Sequence, residues 1–217
     1  MSRIAYFGGT FDPVHSGHIG VAKALVPAFH LDRLYFLPAF HAPHKPDRRP
    51  TSGYHRYAML SIATADEPQL LVSTLELDKR EKRYTIETLG ELEHLHPGDT
   101  LFFVMGADSW MDIRTWKNWE EVLLAVNHIV VSRPGFDLTS DHVTARVRER
   151  IIDLRTNGNK LTQSIADDSH HIYITDAVRH DVSATELRED LSDGELERQD
   201  DIQAEVAKYI EKYELYT

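Results

Sequence analysis

The 217-residue chain contains no cysteine, which excludes disulfides, thiolate metal sites and cysteine nucleophiles. It has no apolar run long enough to span a bilayer. No basic stretch followed by a long apolar run stands at the N-terminus, so no signal peptide, no membrane partner and a cytoplasmic location are expected. Basic residues are scarce: 24 Lys and Arg against 35 Asp and Glu leave a net charge of −11. Such a surface repels a phosphate backbone, so nucleic acid is not an expected partner, and any phosphate site must be a local concentration of donors. Two common nucleotide-binding patterns are missing as well. There is no G-x-G-x-x-G, and no Gly-Lys-Ser/Thr follows the first glycines.

What is present alternates between strand and helix. Apolar residues at 41% and charged residues at 27% suit one globular domain with a full core. Arg3 to Phe7 reads as a buried strand running into Gly8-Gly9. Residues 18–29 carry Ile19, Ala22, Leu25 and Val26 at helical spacing, and Arg33 to Leu37 is the next apolar run. Strand, glycine turn, helix, strand is a βαβ unit, which expects a parallel sheet. The alternation continues: a helix over 54–65, a strand over Leu70 to Ser73, and a helix over Thr85 to Leu95 with Thr85 as N-cap. The clearest buried strand is Thr100 to Met105. A helix starts near Asn118, and His128 to Ser132 is a further strand. In the last third, Asp141 to Leu154 reads as a charged amphipathic helix, 155–169 as loop, His171 to Thr175 as the final strand, and 183–191 and 201–214 as helices. The expectation is a doubly wound, Rossmann-like α/β fold, with helices on both faces of a parallel sheet and a C-terminal helical segment. Residues 1–217 read as a single domain on which the helices from about 183 pack. The 201–214 helix carries Ile202, Val206, Tyr209, Ile210 and Tyr213 on one face. That face fits its own domain or a second copy in a homo-oligomer, and its own domain is the expectation.

The chemistry starts at Gly8-Gly9-Thr10-Phe11-Asp12-Pro13-Val14-His15-Ser16-Gly17-His18. In an open parallel sheet, ligands bind outside the carboxyl ends of the strands, and this stretch leaves the first strand there. Gly8 and Gly9 lack Cβ, so the backbone can turn sharply and approach a ligand. A helix N-terminus favours an anion, and His15 and His18, three residues apart, can both donate to one phosphate. The plain alternative is a tight turn with two surface histidines; glycines, βα position and paired histidines together favour the phosphate site. A second helix start, Ser183-Ala184-Thr185-Glu186-Leu187-Arg188, offers two hydroxyls and a guanidinium. Ser183 and Glu186 have capping-box spacing, so a purely structural cap is an equal reading of that segment alone; the same geometry suits a triphosphate tail.

Gly9 to His18 resembles the signature of the nucleotidyltransferase superfamily that carries an H-x-G-H motif, and Val182 to Arg188 resembles its I-S-x-T-x-x-R motif with valine for isoleucine. Further segments are similar to bacterial nicotinate-nucleotide adenylyltransferases. Leu37 to Lys45 resembles a loop ending in P-P-H-K, with Ala42 for the first proline. Arg83 to Leu89 resembles S-Y-T-I-D-T-L, with arginine for serine. Val104 to Ser109 and Thr115 to Trp119 resemble a G-A-D segment and its tryptophan. The resemblance implies adenylyl transfer from ATP to nicotinate mononucleotide, giving nicotinate adenine dinucleotide and pyrophosphate, with Mg²⁺ on the phosphates. It implies an ATP site of Gly8, Gly9, Thr10, Phe11, His15, His18, Gly106, Asp108, Arg133, Ser183, Thr185 and Arg188. It also implies a mononucleotide site of Gly9, Thr10, Lys45, Tyr84, Thr85 and Trp116, and His15, His18, Lys45 and Arg188 as the catalytic residues.

Each role has a physical rationale. Lys45 supplies a point charge. Asp108, just past a strand end, can accept both ribose hydroxyls. Trp116 can stack on a pyridine, with Trp119 left to core packing. The Tyr84 and Thr85 amides at a helix start suit a carboxylate, and Arg133 can stack on adenine. No protein metal ligand stands out; Asp12 is the nearest carboxylate, but Asp-Pro commonly shapes a turn. Two other readings stay open. A sister transferase would use the amidated mononucleotide or another phosphate acceptor, because Asp112, four residues before Trp116, would repel nicotinate unless it points outward. A nucleotide-binding regulator would sense ATP or NAD without turnover.

Overall fold

In the computed structural model, residues 1–40, 50–132, 138–155, 169–176, 187–188 and 201–216 are described. Strands β1 (Arg3–Gly9), β2 (Arg33–Pro38), β3 (Leu70–Val72), β4 (Thr100–Gly106), β5 (Asn127–Val131), β6 (Ile151–Asp153) and β7 (Ile172–Thr175) form one sheet. The order is β3-β2-β1-β4-β5-β7-β6, and every pairing is parallel. This is the doubly wound, Rossmann-like α/β fold. The strands read as continuous apolar runs because both faces are covered. Along β1, Ala5 and Phe7 enter one core while Ile4 and Tyr6 enter the other.

The first core packs α1 (Ser16–Ala28), α2 (Gly53–Ala63) and α8 (Ala204–Lys212) on the sheet. Ile19, Leu25, Met59, Leu60, Val206 and Ile210 are among its members. The second core packs α4 (Thr85–Leu95), α5 (Ala107–Met111), α6 (Trp119–Ala125) and α7 (Ala145–Arg148), with Leu89, Leu92, Trp110, Val122, Leu123 and Val147 inside. Before α4 comes a short helix α3 (Leu75–Lys79), not foreseen from periodicity, tied to it by the Thr88 hydroxyl donating to Glu76 at 2.8 Å. Ile202, just before α8, and Val206 and Ile210 within it pack into the chain's own core, while Tyr213 after it stays about half exposed.

Two helix expectations need correction. Asp141 to Leu154 is not one helix. Thr144 caps the four-residue α7, and the Arg150 carbonyl then accepts the Ile172 amide at 2.9 Å. Ile151-Ile152 is a β-branched pair that an adjacent strand recruits, and tertiary pairing overrides the helical charge pattern. The resulting edge strand carries the Asp153–Arg155 ion pair, a usual guard against edge-to-edge pairing. Second, Tyr84 rather than Thr85 is the N-cap of α4. The expected final strand is present as β7 and lies inside the sheet, between β5 and β6. The fully buried indole is also Trp110, whose Nε1–H donates to the Thr139 carbonyl at 2.9 Å, whereas Trp119 is only half-buried against the second core. The 183–191 helix and the 155–169 loop fall largely outside the described residues.

His128 on β5 is fully buried and donates Nδ1–H to the Val126 carbonyl at 2.9 Å. Its ring packs on the edge of Phe103. Burial pushes its pKa from 6.5 down to about 4. The folded state therefore holds a neutral ring where the unfolded chain binds a proton. Its contribution to stability is complete above about pH 6.5 and is lost as pH falls toward 4. Full protonation should cost on the order of 3 kcal/mol. Urea unfolding at pH 7.5 and pH 4.5 should show a smaller stability loss in His128→Leu than in the wild type; equal losses would contradict this.

Candidate active site

The winding reverses between β1 and β4. From β1 the chain moves to β2 and β3 on one side, and from β4 to β5 on the other. Ligands in open parallel sheets bind outside the carboxyl ends of the strands at such a reversal. The two strand ends found there are Gly8-Gly9 and Gly106.

Both glycines of β1 have a packing reason as well as a ligand-side one. A Cβ on Gly8 would stand 2.6 Å from the Phe103 ring, and one on Gly9 would stand 2.8 Å from the Phe11 ring. Phe11 itself has a left-handed backbone, φ 51°. Its buried ring is fixed by edge contacts with Phe7, Phe36 and His18, which hold a conformation a non-glycine residue adopts only at a cost.

The turn delivers His15 and His18 to the start of α1. His15 is the N-cap, one residue earlier than the start of the 16–28 helix, and His18 is three residues on. The rings lie 3.6 Å apart, centroid to centroid. The His15 amide donates to His18 Nδ1 at 3.3 Å, which puts the neutral His18 proton on Nε2. The first turn of α1 carries no acidic residue, so nothing there opposes the helix field that favours an anion.

Arg188 meets this turn from 176 residues away in sequence: its Nη1 donates to the Asp12 carbonyl at 2.7 Å. Arg188, from the second predicted phosphate segment, therefore reaches the first. Asp12 is turned to structural use. Its carboxylate accepts from the Tyr216 hydroxyl at 2.6 Å and from the Thr51 amide at 3.1 Å. Gly106 is the N-cap of α5 with open space beside it, and Asp108 is exposed in the first turn that follows.

A second cluster forms beside the first. The Trp116 ring is half-buried and meets Phe103 edge-on, and Phe103 is the ring that Gly8 accommodates. The neighbouring Lys117 ammonium sits 4.3 Å from the Tyr84 ring centroid and 2.9 Å from Glu87 Oε1. Glu87 Oε2 accepts the Tyr84 amide at 3.2 Å. The Lys117 hydrogen bond first, then the Tyr84 amide, lower the Glu87 pKa. A carboxylate is thus already favoured at the helix start that carries Tyr84 and Thr85. Asp112 is exposed, and its carbonyl accepts the Thr115 amide and hydroxyl. Lys45, Arg133, Ser183 and Thr185 lie outside the described residues. Among the described residues no group of three His, Asp or Glu side chains could hold a metal ion.

Sequence reasoning missed Arg56, Glu87, Lys117 and Tyr216. Arg56 is fully buried at the foot of the turn, and its Nη1 donates to the Thr10 carbonyl at 2.8 Å. An arginine on an otherwise mixed helix gives no pattern that separates it from a surface residue.

A cytidylyltransferase-like family model matches residues 6–190. A Thermoanaerobacter sp. (strain X514) protein named "Probable nicotinate-nucleotide adenylyltransferase" is 35% identical over 215 residues, covering 99% of this chain and 94% of that one. This chain belongs to the nicotinate-nucleotide adenylyltransferase family. It is a nucleotidyltransferase. A Mycobacterium sp. (strain KMS) relative of the same printed name is 42% identical over 142 residues, 65% of this chain and 70% of the relative. The fold is also that of the Plasmodium falciparum nicotinic acid mononucleotide adenylyltransferase complexed with NaAD, with a TM-score of 0.75 at 19% identity over 100% of this chain and 98% of that one.

The Gly8 contact is open to a direct check on this nucleotidyltransferase. Gly8→Ala should destabilise it by about 1–3 kcal/mol through the clash with Phe103, and adding Phe103→Leu should return part of that loss. Urea denaturation giving equal stability for Gly8→Ala and wild type would contradict the packing.

Proposed function

We propose that this enzyme joins nicotinate mononucleotide to ATP, giving nicotinate adenine dinucleotide and pyrophosphate in NAD biosynthesis. The observation that carries the reading is the convergence of Arg188 on the Gly8–His18 turn at the β1–β4 reversal. A 5′-phosphate oxygen of the mononucleotide attacks the α-phosphorus of ATP. The new P–O bond forms as the bond to the β-phosphate oxygen breaks, and pyrophosphate leaves. The nucleophile is already an anion near neutral pH, so no general base is needed, and catalysis rests on alignment and charge stabilisation.

In this reading His15, His18, Lys45 and Arg188 hold the phosphates and act on the developing charge. Gly8, Gly9, Thr10 and Phe11 form the floor, Gly106 and Asp108 face the ribose, Arg133 covers the adenine, and Ser183 and Thr185 complete the clamp. Gly9, Thr10, Lys45, Tyr84, Thr85 and Trp116 take the mononucleotide. Support for the acid form comes from the helix start itself, whose field favours a carboxylate, and from the Lys117 ammonium next to Trp116 and over the Tyr84 ring; the Tyr84 amide itself donates to Glu87. ATP enters as its Mg²⁺ complex. A phosphate-borne Mg²⁺ that keeps its waters asks little of the protein, which fits the engagement of both Asp12 oxygens by Tyr216 and Thr51. The same reading makes residues 1–217 one nucleotidyltransferase domain working in the cytoplasm; no described helix is long and apolar enough to cross a membrane.

His18→Ala should lower kcat/KM for ATP by about a hundredfold or more, in line with losing one aligned donor to transition-state charge, as read by pyrophosphate release; a near wild-type value would remove His18 from the mechanism. Trp116→Ala should raise the mononucleotide KM while the ATP KM stays within about twofold, given that stacking on a base costs roughly 1–3 kcal/mol when lost. The reverse split would place the ring in the ATP site.

A further inference from the structure

Side chains outside the phosphate donors hold the Gly8–His18 turn in place. Arg56 of α2, with no exposed surface, spans three backbone carbonyls: Thr10 at 2.8 Å, Thr51 at 2.8 Å and Phe40 at 3.4 Å. It thereby joins the turn to both flanks of the 41–49 segment. On the other side Tyr216 reaches Asp12 from beyond α8. The chain gets there through two left-handed residues, Glu214 (φ 49°) and Tyr216 (φ 67°), with the Leu215 amide donating to the Ile210 carbonyl at 3.1 Å. Non-glycine residues adopt that conformation at a cost, so packing or bonding must hold it. The Tyr216 hydroxyl donates to Asp12 Oδ1 at 2.6 Å. Burial first, then the Asp12 charge and hydrogen bond, raise the Tyr216 pKa, which keeps the proton on the donor.

We propose that Tyr216 and Arg56 are positioning residues of the triphosphate site, acting through Asp12 and Thr10 to fix the turn that carries His15 and His18. The inference rests on reading that turn as the triphosphate cradle. Its physical content is a competition. Asp12 sits in an anion site, with its own backbone carbonyl on Arg188. Two hydrogen bonds disperse its negative charge: the Tyr216 hydroxyl on one oxygen and the Thr51 amide on the other. Remove the hydroxyl, and the carboxylate is left to compete with ATP phosphates for Arg188. The segment after α8 thus works as a strap that keeps an acidic side chain of the turn from spoiling it for anions.

Tyr216→Phe keeps the ring and loses only the hydroxyl. It should raise the ATP KM about tenfold, the usual scale for a hydrogen bond to a charged group, with the mononucleotide KM within about twofold and the melting temperature within a few degrees. Asp12→Asn added to Tyr216→Phe should bring the ATP KM back toward wild type, because the neutral amide no longer competes for Arg188. Arg56→Lys keeps the charge but loses the three-way fork, and should show the same ATP-specific rise. An unchanged ATP KM in Tyr216→Phe would overturn the proposal. So would both KM values rising together with a falling melting temperature, or no rescue by Asp12→Asn. Hydrogen exchange on the wild-type protein needs no variant: a non-hydrolysable ATP analogue should slow exchange of the 213–216 amides, and unchanged exchange counts against the strap. His18→Ala separates the two levels. If it leaves ATP use intact, the cradle reading fails; if it weakens ATP use while Tyr216→Phe does not, only the strap fails.

Discussion

The pairing of β1 with β4 is the constraint on which the rest depends. It sets Ile4 opposite Leu101 and Phe7 opposite Val104, and so brings Gly8-Gly9 and Gly106 to one edge of the sheet. The chain winds away from this pair in both directions, and open parallel sheets form their ligand crevice at such a reversal. Everything proposed for the site stands around that opening: α1 with His15 and His18 on one side, α5 with Asp108 on the other, and the Phe103 ring wedged against Gly8 from below.

Charge is the second constraint. For a chain at −11 to bind an anion, donors must be concentrated and the nearby acids neutralised, and the proposed site has both features. Asp12 is the clearest case, with both carboxylate oxygens engaged and its carbonyl on Arg188. Glu87 is the second: its carboxylate lies between the Lys117 ammonium and the Tyr84 amide. These two acids are therefore bound up in the scaffold. Arg56 does the same for backbone carbonyls, closing three of them from inside the protein, where an unmet carbonyl would be costly.

Much of this was legible in the chain. The strands showed themselves because burial on both faces makes unbroken apolar runs, as in Leu101 to Met105. The Gly8–His18 turn was legible because its parts lie within eleven residues, so the spacing in sequence is the spacing in space. Arg188 was legible as a guanidinium at a helix start and through motif resemblance, but nothing local says that it will meet Asp12. What could not be read depends on distant partners. Ile151-Ile152 became a strand because β7 lay beside it. Thr85 lost the cap to Tyr84 by one residue, within the usual uncertainty of helix ends. Trp110 and Trp119 differ in burial by how α5 and α6 sit, not by their neighbours in sequence. Arg56 and Tyr216 carry no pattern at all; their roles exist only after α2 and α8 pack against the first core.

The central claim is that the opening between β1 and β4 transfers an adenylyl group to a pyridine mononucleotide bearing a carboxylate. The most direct measurement is pyrophosphate release by the wild-type enzyme with ATP, Mg²⁺ and a panel of phosphate acceptors. The account predicts release with nicotinate mononucleotide, much less with the amide form, and a dinucleotide product in equal amount. Release with the amide form at the same kcat/KM would contradict the acceptor assignment, and absence of release with every acceptor would contradict the account as a whole.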